Sequence, residues 1–323
     1  MKSMTYAEAV GDAIWGEMKN DPMVFLAGED IAKMGGPFGV SVGMYDEFGP
    51  QRVVNCPISE TAIIGLGVGA AAAGMRPIVE LMYLDFAGVA MDEIMNQAAK
   101  MRYMFGGKCE VPLVIRAAGG ATVRAAAQHS QMIEAMFTHI PGLKVVCPST
   151  PQDAKGLLIQ AIRDNNPVVF IEHKALYSMK GEVSEGSEPI PFGKANILRQ
   201  GQDITLIAWS LMTHVAMEAA EELAKNGVDA DVIDIRTLVP FDKDALIRSV
   251  KKTHRLAILS EAVRTSGFAS EISAIVAEEC IDELDENIIR ITAPDCPVPY
   301  SPALEDAYVP NSKDIVKKVM ELF

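Results

Sequence analysis

Short Val- and Ile-rich runs alternate with stretches of helical periodicity along nearly the whole chain, and that alternation leaves few folds open. The runs Met23–Ala27, Arg52–Cys56, Arg76–Met82, Val111–Arg116, Leu143–Cys147 and Val168–Glu172 are apolar almost throughout, as strands covered on both faces must be. Between them, Thr5–Asn20, Glu60–Gly74, Phe86–Phe105, Ser130–Phe137 and Gln152–Asp164 carry the amphipathic or small-residue pattern of helices. Crossovers of that length suit parallel strands, so the spacing predicts a parallel α/β sheet.

Between Lys180 and Gly193 the composition turns to Gly, Ser, Glu and closely spaced prolines, which reads as a linker. The alternation then restarts with strand Asp203–Ala208, helix His214–Asn226, strand Asp231–Ile235, helix Asp242–Lys252, strand Arg255–Ser260, helix Phe268–Ile281 and strand Ile288–Thr292. A length of 323 residues is about twice an ordinary domain. The expectation is α/β with two doubly wound domains, residues 1–180 and 195–323, joined by a linker at 181–194.

Charge narrows the function. The net charge is -14, and the acidic excess is spread over both halves rather than held in a tail. Such a surface repels phosphate backbones and anionic lipid, and aromatics at 6% leave little for base stacking. No nucleic-acid or membrane partner is expected. Five cysteines without a CxxC pair argue against a disulfide framework or structural zinc and for a reducing compartment. The beginning, Met1–Glu8, has no apolar signal core, and the uncharged stretch Thr61–Met75 is too short to span a bilayer. A cytoplasmic protein is expected.

The segment Gly65-Leu66-Gly67-Val68-Gly69-Ala70 matches a dinucleotide fingerprint only on paper. Such a motif needs its first glycine in the turn after a strand. Here Ser59-Glu60-Thr61 already opens a helix, with Ser59 as N-cap, so the glycines fall inside it. Interior glycine costs roughly 1 kcal/mol against alanine, and close helix packing is the natural compensation. No HExxH, GxSxG or GxxxxGK[ST] motif occurs.

Three strand ends carry chemistry. Glu60 follows Arg52–Cys56 and a Pro57-Ile58-Ser59 turn, where it is either a first-turn carboxylate on the helix dipole or a functional group. Asp85 and Phe86 follow Arg76–Met82, Asp85 as a candidate N-cap. After the strand ending at Arg116, a Gly119-Gly120 loop leads to Gln128-His129-Ser130-Gln131. His139, His173, His214 and His254 lack such a loop and are assigned to packing or surface. A carboxylate, an aromatic and a histidine at three ends of one sheet form a constellation for acid–base chemistry, in an enzyme or a ligand-binding module.

Taken in order, Gly28-Glu29-Asp30, Cys56-Pro57-Ile58-Ser59-Glu60, Asp85-Phe86-Ala87 with Asp92, Gln128-His129-Ser130-Gln131 and Ala161-Ile162-Arg163-Asp164-Asn165-Asn166-Pro167 go further. With Thr237-Leu238-Val239-Pro240 and Glu261 they resemble the beta subunit of the thiamine-diphosphate-dependent component of 2-oxo acid and acetoin dehydrogenase complexes. The resemblance spans essentially the whole chain. It implies a pyrimidine-binding thiamine-diphosphate domain followed by a transketolase C-terminal-like domain.

The resemblance also assigns roles. Glu60 matches the glutamate that hydrogen-bonds the pyrimidine ring nitrogen and promotes the tautomer that deprotonates the thiazolium carbon, a task suited to a carboxyl of tuned pKa. Phe86 would stack on the aminopyrimidine, Ile58 and Met82 would pack around it, and Glu29 would lie beside the ring. His129 would handle protons at the reactive carbon and the approach of the lipoyl group. Leu113, Ala161, Ile162, Asp164 and Asn166 match positions that hold potassium in some relatives, largely through backbone oxygens; without an ion they read as a helix C-terminal turn ahead of Pro167.

No Gly-Asp-Gly segment occurs, although such enzymes use one to anchor diphosphate through a divalent metal. The resemblance therefore implies an alpha subunit that holds Mg2+ and the diphosphate, an α2β2 heterotetramer, and docking on a dihydrolipoyl acyltransferase core with its lipoyl domain. Ala126-Ala127-Gln128-His129-Ser130-Gln131 and Ile171-Glu172-His173-Lys174-Ala175-Leu176-Tyr177 are most similar to acetoin dehydrogenase beta subunits. The implied reaction is cleavage of acetoin with transfer of a two-carbon unit to lipoyl-lysine, with pyruvate and then branched-chain 2-oxo acids as alternative substrates. The rival from another class is a scaffold subunit that kept the fold and lost the chemistry.

Overall fold

The computed structural model describes residues 1–323. These divide into two compact units, one of Met1–Gly119 with Met136–Phe192 and one of Gly120–Ala135 with Gly193–Phe323. The segment 120–135, sequentially in the first half, thus packs with the second.

The first unit contains β1 (Lys2–Thr5), β2 (Val24–Glu29), β3 (Val53–Cys56), β4 (Arg76–Leu81), β5 (Val114–Gly119), β6 (Lys144–Val146), β7 (Val168–His173) and β8 (Lys180–Val183). Six of them run parallel in the order β6-β7-β5-β4-β2-β3. Strands β5 and β7 are buried at every position, which explains their unbroken apolar reading. The helix Tyr6–Asn20 begins in a capping box, with Thr5 Oγ1 accepting from Glu8 N–H and Glu8 Oε2 accepting from Thr5 N–H. The helix Pro151–Arg163 is capped by Thr150 and has proline in its first turn.

Five expectations change here. The residues 180–183, read as linker, form β8, which pairs antiparallel with the unanticipated β1. The strand expected at Val111–Arg116 is displaced to Val114–Gly119. The single helix expected over Phe86–Phe105 is three successive pieces: a 3₁₀ segment Leu84–Ala90, a π segment Glu93–Ala98 and an α segment Ala99–Met104. Asp85 is inside the 3₁₀ turn and Tyr83 is at its cap. Ser59 does precede Glu60–Ala72, but its hydroxyl makes no cap bond.

The second unit contains β9 (Asn196–Arg199), β10 (Ile204–Ala208), β11 (Ala230–Asp234), β12 (Thr237–Val239), β13 (Leu256–Val263) and β14 (Ile289–Ala293). Its five-stranded sheet runs β14-β13-β10-β11-β9, parallel except for β9. The chain steps from β10 to β11 on one side and returns to β13 on the other. The switch point of this sheet therefore lies between β10 and β13. The Ile204, Leu206, Val232, Ala257 and Leu259 side chains pack with Ala216, Leu223, Ile315 and Val319 of the covering helices to form its core. No helix of either unit is long and apolar enough to cross a membrane.

Candidate functional site

The carboxyl ends of β2, β3 and β4 carry three of the predicted groups. Strand β2 ends at Glu29, in register with Cys56 at the end of β3. The Pro57-Ile58-Ser59 turn then places Glu60 at the first position of the helix Glu60–Ala72. Burial first, then the negative charges of Asp30 and Glu60, push the Glu29 carboxyl above the usual carboxylate range. Glu29 and Glu60 are thus brought within each other's field. Thr61 Oγ1, one residue on, donates to the Val89 carbonyl at 2.9 Å, which ties the Glu60 helix to the segment that carries Phe86.

Phe86 is half-buried and meets Tyr83 edge-on at 5.6 Å between ring centroids. Tyr83 in turn meets Phe38 at 6.1 Å, and Phe38 lies 4.8 Å from Tyr177. The Lys174 ammonium lies 5.2 Å from the Tyr83 ring centroid. Met82 is half-buried at the end of β4, and Ile58 is 76% exposed on its turn. An apolar side chain so exposed beside a carboxylate has nothing of its own chain to cover it.

Behind this cluster lies a buried ionic network. Arg116 Nη1 donates to Glu80 Oε2 at 2.5 Å, while Nε and Nη2 grip both oxygens of Glu172 at 2.7 and 2.9 Å. Tyr177 donates to Glu172 Oε2 at 2.9 Å. Burial would lower the Arg116 pKa, but the two carboxylates outweigh it and hold the guanidinium charged. Burial pushes Glu80 up, and burial together with the Glu172 carboxylate pushes the Tyr177 phenol well up. A cavity of about 10 Å³, room for about one water, is lined by Arg116, Glu80, Phe38, Met82 and Tyr177. Gly36 in the loop beyond β2 adopts φ +78°, and a Cβ there would lie 2.7 Å from Glu80 Oε1. The network thus sets the floor beneath Phe38 and Met82.

His129 belongs to the second unit. It is half-buried at the end of a turn in which its N–H donates to the Ala126 carbonyl at 3.3 Å. The preceding loop has positive φ at three non-glycine residues, Thr122 (77°), Arg124 (62°) and Ala126 (63°). Each costs of order 1–3 kcal/mol and persists only where the surroundings dictate it.

The five positions matched to potassium converge on one turn. Arg76 Nη1 donates to the Ile162 and Asp164 carbonyls at 3.0 and 3.2 Å, and its Nη2 to Asn165 Oδ1 at 2.6 Å. The Leu113 carbonyl accepts from Val168 N–H, and Ala161 from Asp164 N–H. The Asp164 carboxylate holds Lys144 and the Asn166 amide. Each carbonyl keeps a second lone pair, so a bound ion would share these oxygens with Arg76. No group of three or more His, Cys, Asp or Glu side chains is arranged to hold a metal.

Sequence reasoning missed the roles of Glu80, Arg116, Glu172, Phe38 and Tyr177. The signal was a charged residue at an interior position of each of three largely apolar strands, Glu80 in Arg76–Leu81, Arg116 in Val114–Gly119 and Glu172 in Val168–His173. Charges at such positions are nearly always paired.

The family described as "Transketolase, pyrimidine binding domain" matches residues 2–180, and "Transketolase, C-terminal domain" matches residues 193–315. The "Acetoin:2,6-dichlorophenolindophenol oxidoreductase subunit beta" of Cupriavidus necator is 53% identical over 95% of this chain and 94% of its own. Its Bacillus subtilis namesake is 48% identical over 99% of this chain and 97% of its own. The "Pyruvate dehydrogenase E1 component subunit beta" of Rickettsia felis is 44% identical over 99% of this chain and 98% of its own. A solved structure titled "Split gene transketolase, inactive beta4 tetramer" superposes with a TM-score of 0.82 over 98% of this chain and 97% of its own, at 22% identity. That likeness concerns the fold alone.

Proposed function

The chain belongs to the transketolase-like dehydrogenase beta subunits, and on that premise we propose that it is the beta subunit of a thiamine-diphosphate-dependent acetoin dehydrogenase. With an alpha subunit it cleaves acetoin and passes a two-carbon unit to the lipoyl-lysine of a dihydrolipoyl acyltransferase. The observation that carries the choice of substrate is the greater identity to acetoin-acting relatives than to a pyruvate-acting one, over nearly full length in each.

Bound thiamine diphosphate supplies the electron sink for carbon–carbon cleavage. This chain contributes the pyrimidine side. Glu60 holds and moves a proton at the pyrimidine ring nitrogen, from the first turn of its helix. Glu29, pushed up by burial and by Asp30 and Glu60, shares that proton network. Phe86 offers its ring face, supported through Tyr83 by Phe38 and Tyr177. Ile58 and Met82 exclude water around the ring. His129 handles protons where the substrate reacts.

The alpha subunit would supply Mg2+ and the diphosphate anchor, since this chain has neither a Gly-Asp-Gly segment nor an acidic metal cluster. The exposed Ile58, Leu66, Val89, Tyr103, Met104 and Phe105 side chains of the first unit support burial against a partner. A potassium ion at Leu113, Ala161, Ile162, Asp164 and Asn166 belongs to the same reading and has a structural rather than a chemical task.

Co-purification with an alpha subunit that carries Gly-Asp-Gly, followed by turnover of acetoin against pyruvate, tests the substrate. Faster turnover of pyruvate would move the chain to the alternative substrate. In the same complex Glu60→Gln is expected to lower turnover by at least about 100-fold, the scale of a lost general acid–base group; near-normal turnover would remove Glu60 from its role.

A further inference from the structure

The switch point of an open α/β sheet is the usual place for a ligand. In the second unit that place is engaged by the chain's own residues 120–135. At one end of the segment Ala121 N–H donates to Glu261 Oε1 at 2.6 Å, at the carboxyl end of β13. At the other end Trp209, just beyond β10, donates its indole N–H to Glu134 Oε1 at 3.1 Å. The Ala121 methyl is buried among Ala293, Val298, Tyr308 and Val309.

Between those ties sits Glu305, on the helix Pro302–Tyr308, with no exposed surface. Its Oε1 accepts from Thr122 N–H at 2.9 Å, its Oε2 accepts from Arg124 N–H at 3.2 Å, and the Arg124 guanidinium reaches Oε2 at 2.6 Å. Arg124 also donates to the Pro302 carbonyl and to Asp306. Left-handed conformations at Thr122, Arg124 and Ala126 turn alternate residues of the loop into a concavity of N–H groups, the form that backbone takes around an anion. Here the anion is a buried carboxylate of the chain itself, 181 residues away from Arg124.

We propose that Glu305 is the positioning residue for His129. Its carboxylate imposes the left-handed backbone of residues 122–126, and His129 leaves that backbone through the turn closed on the Ala126 carbonyl. Glu305 touches no reacting atom; it fixes where the histidine starts. The inference rests on the role given to His129 above.

The test uses the complex of this chain with its alpha subunit and compares Glu305→Gln, His129→Ala and the double variant. Glu305→Gln keeps the size of the side chain but removes its charge and one acceptor oxygen. It is expected to lower kcat about tenfold or more, to leave the half-saturating concentration of thiamine diphosphate within about twofold, and to speed tryptic cleavage after Arg124. The double variant is expected to be no slower than His129→Ala alone. A kcat within twofold of wild type, a matching loss of cofactor affinity, unchanged cleavage after Arg124, or multiplicative losses in the double variant would each overturn the proposal. If Glu305→Gln fails to assemble, Arg124→Ala replaces it, with a smaller loss expected and the same non-additivity required. Wild-type turnover by His129→Ala would instead remove the role of His129, and is distinguishable because it involves no change at Glu305.

Discussion

Arg116 and Glu80 face each other across two neighbouring parallel strands, Nη1 2.5 Å from Oε2, with side chains 2% and 9% exposed. Glu172 takes the rest of the same guanidinium in a bidentate grip. One buried cation thus serves two buried carboxylates. Glu80 holds the guanidinium by a single bond, and burial raises its pKa. The two carboxylates are therefore unequal. Glu172→Gln leaves Arg116 without its bidentate partner and is expected to cost about 3–5 kcal/mol, the scale for breaking a buried pair. Glu80→Gln leaves a neutral Arg116–Glu172 pair and is expected to stay within about 1–1.5 kcal/mol of wild type. Urea midpoints of the two variants check the order; equal losses would refute it.

The same asymmetry has a pH signature. The folded-state pKa of Glu80 lies above its unfolded value, so the native state binds the proton more readily. The contribution of this group is therefore fully present below the unfolded pKa and is lost as pH rises through the folded pKa. Wild type minus Glu80→Gln is expected to show stability falling from acid toward neutral pH. Urea midpoints of both proteins at several pH values between about 4.5 and 8 measure it, and parallel curves would contradict the assignment.

Phe86 is only half-buried and meets Tyr83 edge-on, so its replacement is expected to harm the site more than the fold. Loss of one aromatic contact is worth about 0.5–1.5 kcal/mol beyond buried area. Phe86→Ala in the assembled complex is thus expected to raise the thiamine diphosphate concentration for half-activation about tenfold or more, with Phe86→Leu in between. Titration of activity against cofactor reads this directly. An unchanged value would take Phe86 out of contact with the ring.

How much of this was legible in the sequence follows from the range of each interaction. Strands such as Val168–His173 announce themselves because burial on both faces demands apolar runs, and the helix start at Glu60 is legible because strand-to-helix turns have local signatures. The 3₁₀ and π pieces between Leu84 and Ala98 were not legible, because a stretch with Ala, Met, Leu, Glu and Gln has helical propensity without specifying its hydrogen-bond period. β8 was hidden because Lys180–Val183 is a strand only through pairing with Lys2–Thr5 at the other end of the unit. The partnership of Glu305 with Thr122 and Arg124 had no local trace at all.

A bound potassium ion at the Leu113 and Ala161–Asn166 turn would have to share the Ile162 and Asp164 carbonyls with the Arg76 guanidinium. Affinity is therefore expected to be weak, with the effect seen only at millimolar salt. Thermal midpoints compared in matched potassium and sodium chloride should favour potassium by a few degrees, about 1 kcal/mol for a chain of this size. Equal midpoints would leave the turn to its own cations, Arg76, Arg102 and Lys144.

The small-residue helix Glu60–Ala72 has two faces with opposite demands. Gly67 is buried, and a Cβ there would lie 2.8 Å from both Leu113 and Val79, so this glycine lets the helix close on its own sheet. Gly69 is exposed, with nothing within 4 Å of the same construction. Gly67→Ala must displace packed side chains and is expected to destabilise the isolated chain by about 1–3 kcal/mol. Gly69→Ala relieves the entropic cost of glycine in a helix and is expected to stabilise the isolated chain by up to about 1 kcal/mol. If that outer face is the one covered by a partner, the stabilised variant will assemble less well, because the added methyl holds the two backbones apart. Stability of the chain alone and the dissociation constant for the alpha subunit, measured on the same two variants, separate the faces. A Gly69→Ala chain that is more stable and also assembles normally would place the interface elsewhere.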